Sequence, residues 1–187
     1  TAPPLIMSFI PSPTDISRNF TSSRGTISRK PLVGLGVVGT GVADLLIRKK
    51  HLLESRIGAR LNLKTIADID TATDRGIDLK IAALVPDAGA VLTDPDIDVV
   101  VELIGGRSPA RELILTALKN GKHVVTANKA LLADCGNELM EAARKNRVDL
   151  AFEASCGGCM PIIKPLSESL VAHDIKSMSG ILNGTCN

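Results

Sequence analysis

The sequence predicts an α/β protein: a doubly wound, Rossmann-type parallel sheet, followed by the beginning of an α+β substrate and dimerisation domain. Three observations carry this. From Leu32 onward short β-rich runs alternate with helical ones, a Gly-x-Gly-x-x-Gly string opens the first helix, and two later strands end in Gly105-Gly106 and in Asn128-Lys129.

Residues 1–30 hold four prolines, many Ser and Thr, and Asp15 as their single acid, with no period of 2 or 3.6. They are expected to form a disordered extension, read first as a floppy or mis-joined stretch, although its Ser/Arg-rich, acid-poor character resembles that of an organelle transit peptide. The chain opens on Thr1, not Met, as a processed or incomplete chain does. Strands are expected at Leu32 to Val33, Lys64 to Ile69, Asp98 to Leu103, His123 to Thr126 and Val148 to Phe152. The first is poor, because Pro31 interrupts it and Ser28, Arg29 and Lys30 are not sheet-core residues.

Between strands the helices are well signalled. Ser108 is placed to cap a helix with Pro109 at its first position, and Ala110, Leu113, Ile114, Ala117 and Leu118 repeat on one face before Gly121 stops it. A second helix is expected from Lys129 to Asn146, with Arg144 and Lys145 at its negative end. After Phe152 a glycine and cysteine loop, a helix over Pro161 to Ala172 and a strand over Ile175 to Leu182 begin a new unit. The expected division is therefore 1–30, a dinucleotide-binding domain 31–152, and the truncated start of a substrate domain 153–187.

Gly34, Gly36 and Gly39 follow a short apolar segment and precede a helix bearing Val42, Leu45, Leu46 and Ile47. In that context the first glycine allows the tight turn, the second admits a pyrophosphate and the third lets helix and strand pack, while the helix start at Val37 and Val38 offers free N–H groups. Asp68, ending the next strand, is the acid expected on the ribose hydroxyls. It lies late after Gly39, so the first crossover must be lengthened, by His51 to Leu63. Gly105, Gly106, Asn128 and Lys129 end strands on the same side and should face whatever the glycine loop binds. A lysine there can hold a carboxylate or an anionic transition state, or simply be a solvated charge at a helix start.

Composition excludes other classes. The 22 Lys+Arg nearly balance 20 Asp+Glu, and three Phe with no Tyr or Trp leave no basic field or stacking platform, so no nucleic acid is expected. The longest apolar stretch, Leu32 to Ile47, is broken by glycines, Thr40 and Asp44, so no membrane span is expected either. Cys135, Cys156, Cys159 and Cys186 are too clustered for a disulfide framework and point to a reducing compartment, the cytoplasm, or a plastid if the extension is a transit peptide. Cys156 and Cys159 make one zinc knuckle where a four-cysteine site has two. His51, His123 and His173 show no metal spacing.

Taken together, Gly34 to Gly41, Val101-Glu102-Leu103-Ile104-Gly105-Gly106, Val125-Thr126-Ala127-Asn128-Lys129-Ala130-Leu131-Leu132-Ala133, Phe152-Glu153-Ala154-Ser155 and Gly180-Ile181-Leu182-Asn183-Gly184-Thr185 resemble the homoserine dehydrogenase family, in family order. The resemblance implies an oxidoreductase that interconverts L-homoserine and L-aspartate 4-semialdehyde by hydride transfer with NAD or NADP, on the route to threonine, methionine and isoleucine. It implies Lys129 between nicotinamide and substrate, a monovalent cation such as sodium on Glu153 and the carbonyls of Cys156, Gly158 and Met160, and a homodimeric full-length parent. The chain departs from the family at Cys159, where a glycine is usual, at Cys186, where threonine is common, and at Ile69, where many members carry an arginine for a 2′-phosphate. Asp68 and Asp70 without that arginine lean toward NAD. Family members continue past residue 187 with further catalytic residues, so this chain is expected to bind cofactor without turnover. The rival readings are a non-catalytic NAD-sensing module and a thiol-based metal or redox protein.

Overall fold

The computed structural model describes residues 27–158 and 160–180. Among these, β1 (Ile27–Val33), β2 (Arg60–Ala67), β3 (Ala83–Val85), β4 (Val99–Glu102), β5 (His123–Thr126) and β6 (Leu150–Ala151) form one sheet. Its order is β3-β2-β1-β4-β5-β6 and every pairing is parallel. The chain winds outward from β1 to one edge, returns to the centre and winds to the other edge, so a crevice opens where the direction reverses, between the ends of β1 and β4. The predicted doubly wound sheet is the observed one.

Strand alternation sorts the core into two layers. Leu32, Leu63, Ile66 and Val101 point to the face covered by α1 (Val37–Arg48), where Ala43 is fully buried. Val33, Ala67, Val100, Val124 and Leu150 point the other way, onto α4 (Ala110–Lys119) and α5 (Lys129–Asn146), with Val91 and Leu92 of the short α3 (Gly89–Thr93). All five apolar residues predicted to line α4 are buried in that layer. Burying each such Leu or Ile contributes roughly 2–3 kcal/mol.

Several boundaries differ from expectation, each for a local reason. β1 reaches back to Ile27, into the stretch expected to be disordered, and residues 1–26 lie outside the described residues. Pro31 does not end the strand. The β1–β2 register shifts between Lys30 and Leu32, and β4 pairs with β1 only at Leu32 and Val33, so the proline sits at a bulge with a partner on one side. β2 starts at Arg60 because Leu61 and Leu63 are buried while Arg60, Asn62 and Lys64 face outward. The extra length of the crossover is therefore α2 (Lys50–Ile57), stopped by Gly58 in the left-handed region. Ser108 makes no cap, since Pro109, after a cis peptide bond, takes the cap position and α4 begins at Ala110.

The helix expected over Pro161 to Ala172 shrinks to one wide turn, Pro165–Ser169, closed by Leu170 N donating to Pro165 O at 2.9 Å. Two prolines four residues apart remove donors, and only Leu166 and Ser167 of that turn are buried, too little core for a longer helix. Residues 175–180 form no strand, and Ile181 to Leu182 lie outside the described residues.

Candidate functional site

The glycine loop joins β1 to α1 at the centre of the sheet. Gly34 has φ +98°, and a Cβ there would come within 2.7 Å of the Leu103 carbonyl carbon, while a Cβ on Gly39 would lie 1.9 Å from Gly34 O. These two glycines seat the first turn of α1 against β1 and β4. Gly36 differs: nothing lies within 4 Å of where its Cβ would be. It caps α1 without a side-chain bond, and Val37 and Val38 beside it are 94% and 59% exposed. The N–H groups that open α1 thus face open space at the positive end of a helix, which suits an anion approached by bare backbone.

On one side of this loop, β2 ends at Asp68. Its Oδ2 accepts from Leu35 N at 2.5 Å and its Oδ1 from Asp70 N at 2.8 Å, which fixes the carboxylate beside the loop. Arg75, which sequence reasoning missed, reaches the same place. Its Nε donates to Leu35 O at 2.7 Å, Nη1 to Thr73 O at 2.7 Å and Nη2 to Asp70 Oδ2 at 3.2 Å, with Asp68 Oδ1 at 3.8 Å. A signal existed, since Arg75 is the one cation between Lys64 and Lys80. Nothing in the spacing showed that the loop folds back.

On the other side, β4 and β5 end in a buried polar chain. Glu102, fully buried, accepts from Ile104 N (2.8 Å), Gly105 N (3.2 Å) and Thr126 Oγ1 (2.6 Å). Thr126 Oγ1 in turn accepts from Asn128 N at 3.0 Å. Asn128 Nδ2 donates to Gly106 O at 2.6 Å, and its Oδ1 caps α5 by accepting from Leu131 N at 3.1 Å. Ser155 Oγ donates to Thr126 O at 2.9 Å. Gly105 and Gly106, at φ +76° and +73°, turn the chain here with open space where a side chain would be. Lys129 is the first residue of α5 and is exposed beside them. Sequence reasoning put Asn128 and Lys129 just past the end of β5, where the structure has them, and overlooked Glu102 and Thr126, which hold that turn.

Beyond β6, Glu153 reaches the turn that follows. Its carboxylate accepts three backbone N–H bonds, from Ile162 (2.6 Å), Ile163 (2.9 Å) and Lys164 (2.8 Å). Burial raises its pKa, but those three bonds outweigh burial and hold it below the usual carboxylate range. Both oxygens are engaged, so the side chain is a clasp on the following turn. Cys156 lies nearby with its thiol pKa pushed up, first by burial and then by Glu153, against a lowering from the Lys129 ammonium. Gly157 and Gly158 have φ of +67° and +65°, Met160 N donates to Gly157 O at 3.3 Å, and Cys159 is outside the described residues. Among the described residues no three His, Cys, Asp or Glu side chains converge to hold a metal, and no helix is long and apolar enough to cross a membrane.

Comparison with known proteins bears on this geometry. Residues 34–153 match the family model described as "Homoserine dehydrogenase, NAD binding domain". The chain belongs to the homoserine dehydrogenase family. It is 45% identical over 156 residues to a homoserine dehydrogenase of Neisseria gonorrhoeae, covering 83% of this chain and 36% of that one. It is 44% identical to that of Synechocystis, also over 156 residues, again 83% of this chain and 36% of the relative. The solved homoserine dehydrogenase of Thiobacillus denitrificans superposes at a TM-score of 0.74 with 42% identity, over 79% of this chain and 34% of that one.

The chain thus spans about a third of the length of the homoserine dehydrogenases it matches. The matched segment contains the glycine loop, Asp68, Arg75, Glu102, Gly105, Gly106, Asn128, Lys129 and Glu153. Cys156, Gly158 and Met160 fall just past it.

Proposed function

We propose that this chain forms the cofactor-binding part of a homoserine dehydrogenase, binding NAD(P) and serving the interconversion of L-homoserine and L-aspartate 4-semialdehyde. One observation carries the reading: Gly36, Asp68, Gly105, Gly106 and Lys129 all follow the carboxyl ends of strands of one parallel sheet, around its reversal point. The residues present fit the cofactor. The open space at Gly36 and the N–H groups of Val37 and Val38 suit the pyrophosphate, with Gly34 and Gly39 setting the turn. The Asp68 carboxylate, held by two N–H groups, suits the adenine ribose hydroxyls.

When bound, the nicotinamide supplies the hydride chemistry. The chain's own contribution is to orient and to balance charge. Gly105 and Gly106 border the crevice closely because they carry no side chain, and the Glu102, Thr126 and Asn128 chain holds their loop in register with α5. Lys129, at the start of α5, is placed to steady the substrate oxygen as charge builds on it. A monovalent cation such as sodium at the loop after β6 would rest on the Glu153 carboxylate, whose Oε2 accepts only one N–H, and on the main-chain carbonyls of Cys156, Gly158 and Met160. The reading places the protein in the cytoplasm, as a homodimer in its full-length form, on the route to threonine, methionine and isoleucine.

The test is a titration of the chain with NADH and NADPH, following nicotinamide fluorescence, beside a Gly36→Val control. Saturable binding in the parent and its loss in a control that still melts cooperatively support the reading. A flat titration of the folded parent with both nucleotides refutes it.

A further inference from the structure

Resting on the cofactor reading above, we propose that Arg75 is the residue that decides how this chain treats the 2′ position of the adenine ribose, supplying the cation for a 2′-phosphate that Ile69 does not. The chain then takes both NADPH and NADH.

The argument starts from charge. Asp68 is positioned to accept ribose hydroxyls, and a phosphate at the 2′ position would meet Asp68 and Asp70 as two like charges. Ile69, between them, is 94% exposed and offers nothing to either ligand. The cation that answers them comes from farther along. Arg75 has a side chain only 12% exposed, and its Nη2 lies 3.2 Å from Asp70 and 3.8 Å from Asp68. Such a guanidinium, pinned by the Leu35 and Thr73 carbonyls, is already ordered at the ribose end of the site. A planar fork with donors to spare is the side chain best suited to a phosphate.

Placement also explains why the arginine tolerates either cofactor. Without a phosphate it is satisfied by Asp70 and by the glycine-loop carbonyl, so no buried cation is stranded. With one, Nη2 can exchange an acid partner for the stronger phosphate. Asp70 is then a competitor for Arg75, and Asp68 stays on Leu35 N.

The experiment measures binding of adenosine 2′,5′-bisphosphate and of ADP to the chain by calorimetry, in the parent and in Arg75→Gln and Asp70→Asn. Arg75→Gln should weaken the 2′-phosphate probe at least about tenfold and ADP less than about threefold. Asp70→Asn, which keeps the Oδ1 acceptor for Ala72 and Thr73 but removes the competing charge, should tighten the 2′-phosphate probe about threefold and leave ADP unchanged. A gain of that kind cannot come from misfolding. Equal losses of both probes in Arg75→Gln, with no gain in Asp70→Asn, would make the arginine a tether for the glycine loop and overturn the proposal. A parent that binds neither probe would instead remove the cofactor reading itself.

Discussion

The Thr126 hydroxyl donates to the Glu102 carboxylate at 2.6 Å, with both residues fully buried, and this one bond ties the end of β4, which borders the crevice, to the end of its neighbour β5. Glu102 also holds Ile104 and Gly105, and Thr126 holds Asn128, so the turns after both strands depend on it.

Removing that anchor is expected to cost much more than one hydrogen bond. Glu102→Ala leaves two N–H groups and a hydroxyl without an acceptor, a loss of about 2–4 kcal/mol. Thr126→Val, nearly isosteric, should cost about 1–2 kcal/mol. Urea denaturation of both singles and the double variant checks this, and the double should fall short of the sum by about 1 kcal/mol because the singles destroy the same bond. Strict additivity would show that the two side chains do not act together.

The two kinds of glycine in the loop should separate stability from binding. Gly39→Ala places a methyl 1.9 Å from Gly34 O, so α1 must lift from β1 and the melting temperature should fall by 10 °C or more, on the order of 2–3 kcal/mol. Gly36→Ala meets nothing within 4 Å and should melt like the parent while losing dinucleotide affinity. Thermal melts beside an NADH titration decide it. A Gly36→Ala protein that binds like the parent would mean the pyrophosphate does not pass there.

Acid should loosen the clasp at Glu153. Its folded-state pKa lies below its ordinary value of 4.5, so the stability it adds is complete above that pH and disappears as pH falls through the lower folded value. Proteolysis of the segment after residue 160, followed by mass spectrometry from pH 6 to pH 3, should accelerate on the acid side in the parent. Glu153→Gln should be cleaved faster already at pH 6, with a flatter profile. Identical profiles would show that the carboxylate does not hold the turn.

Cys156 should be a slow thiol at neutral pH. Burial and Glu153 raise its pKa above the ordinary 9.0, and Lys129 opposes them. Alkylation by iodoacetamide, read residue by residue, should therefore slow further in Lys129→Ala and speed up in Glu153→Gln. Rapid alkylation of Cys156 at pH 7 in the parent would instead revive a redox role for this loop.

How much of this was legible in the residues depended on range. α4 and α5 could be read because their apolar spacing is local, whereas the Ser108 cap expected for α4 is not made and the Asn128 cap of α5 was not read. β3 and α3 were not read, since three residues of partly exposed sheet edge and one short turn of helix carry almost no period. At the site, the glycines, Asp68 and Lys129 follow from where strands end. Arg75 and the Glu102 chain do not, because the bonds that place them, Arg75 to Leu35 and Thr126 to Glu102, span 40 and 24 positions and only the folded chain brings those ends together.

The bulge at Pro31 has a bearing on how the sheet assembles. Central strand β1 must find Ile66 for Leu32 on one flank and Val101 on the other, and the second partner is synthesised about seventy residues later. During translation β1 and β2 can pair first through their helical crossover, and this half-sheet leaves the far flank of Leu32 and Val33 bare until β4 arrives. Upstream of the bulge, Ile27 to Lys30 has no strand partner on that side among the described residues. A proline beside that flank withholds a backbone donor where another chain could add a strand, so the nascent sheet is guarded against mispairing during its longest wait.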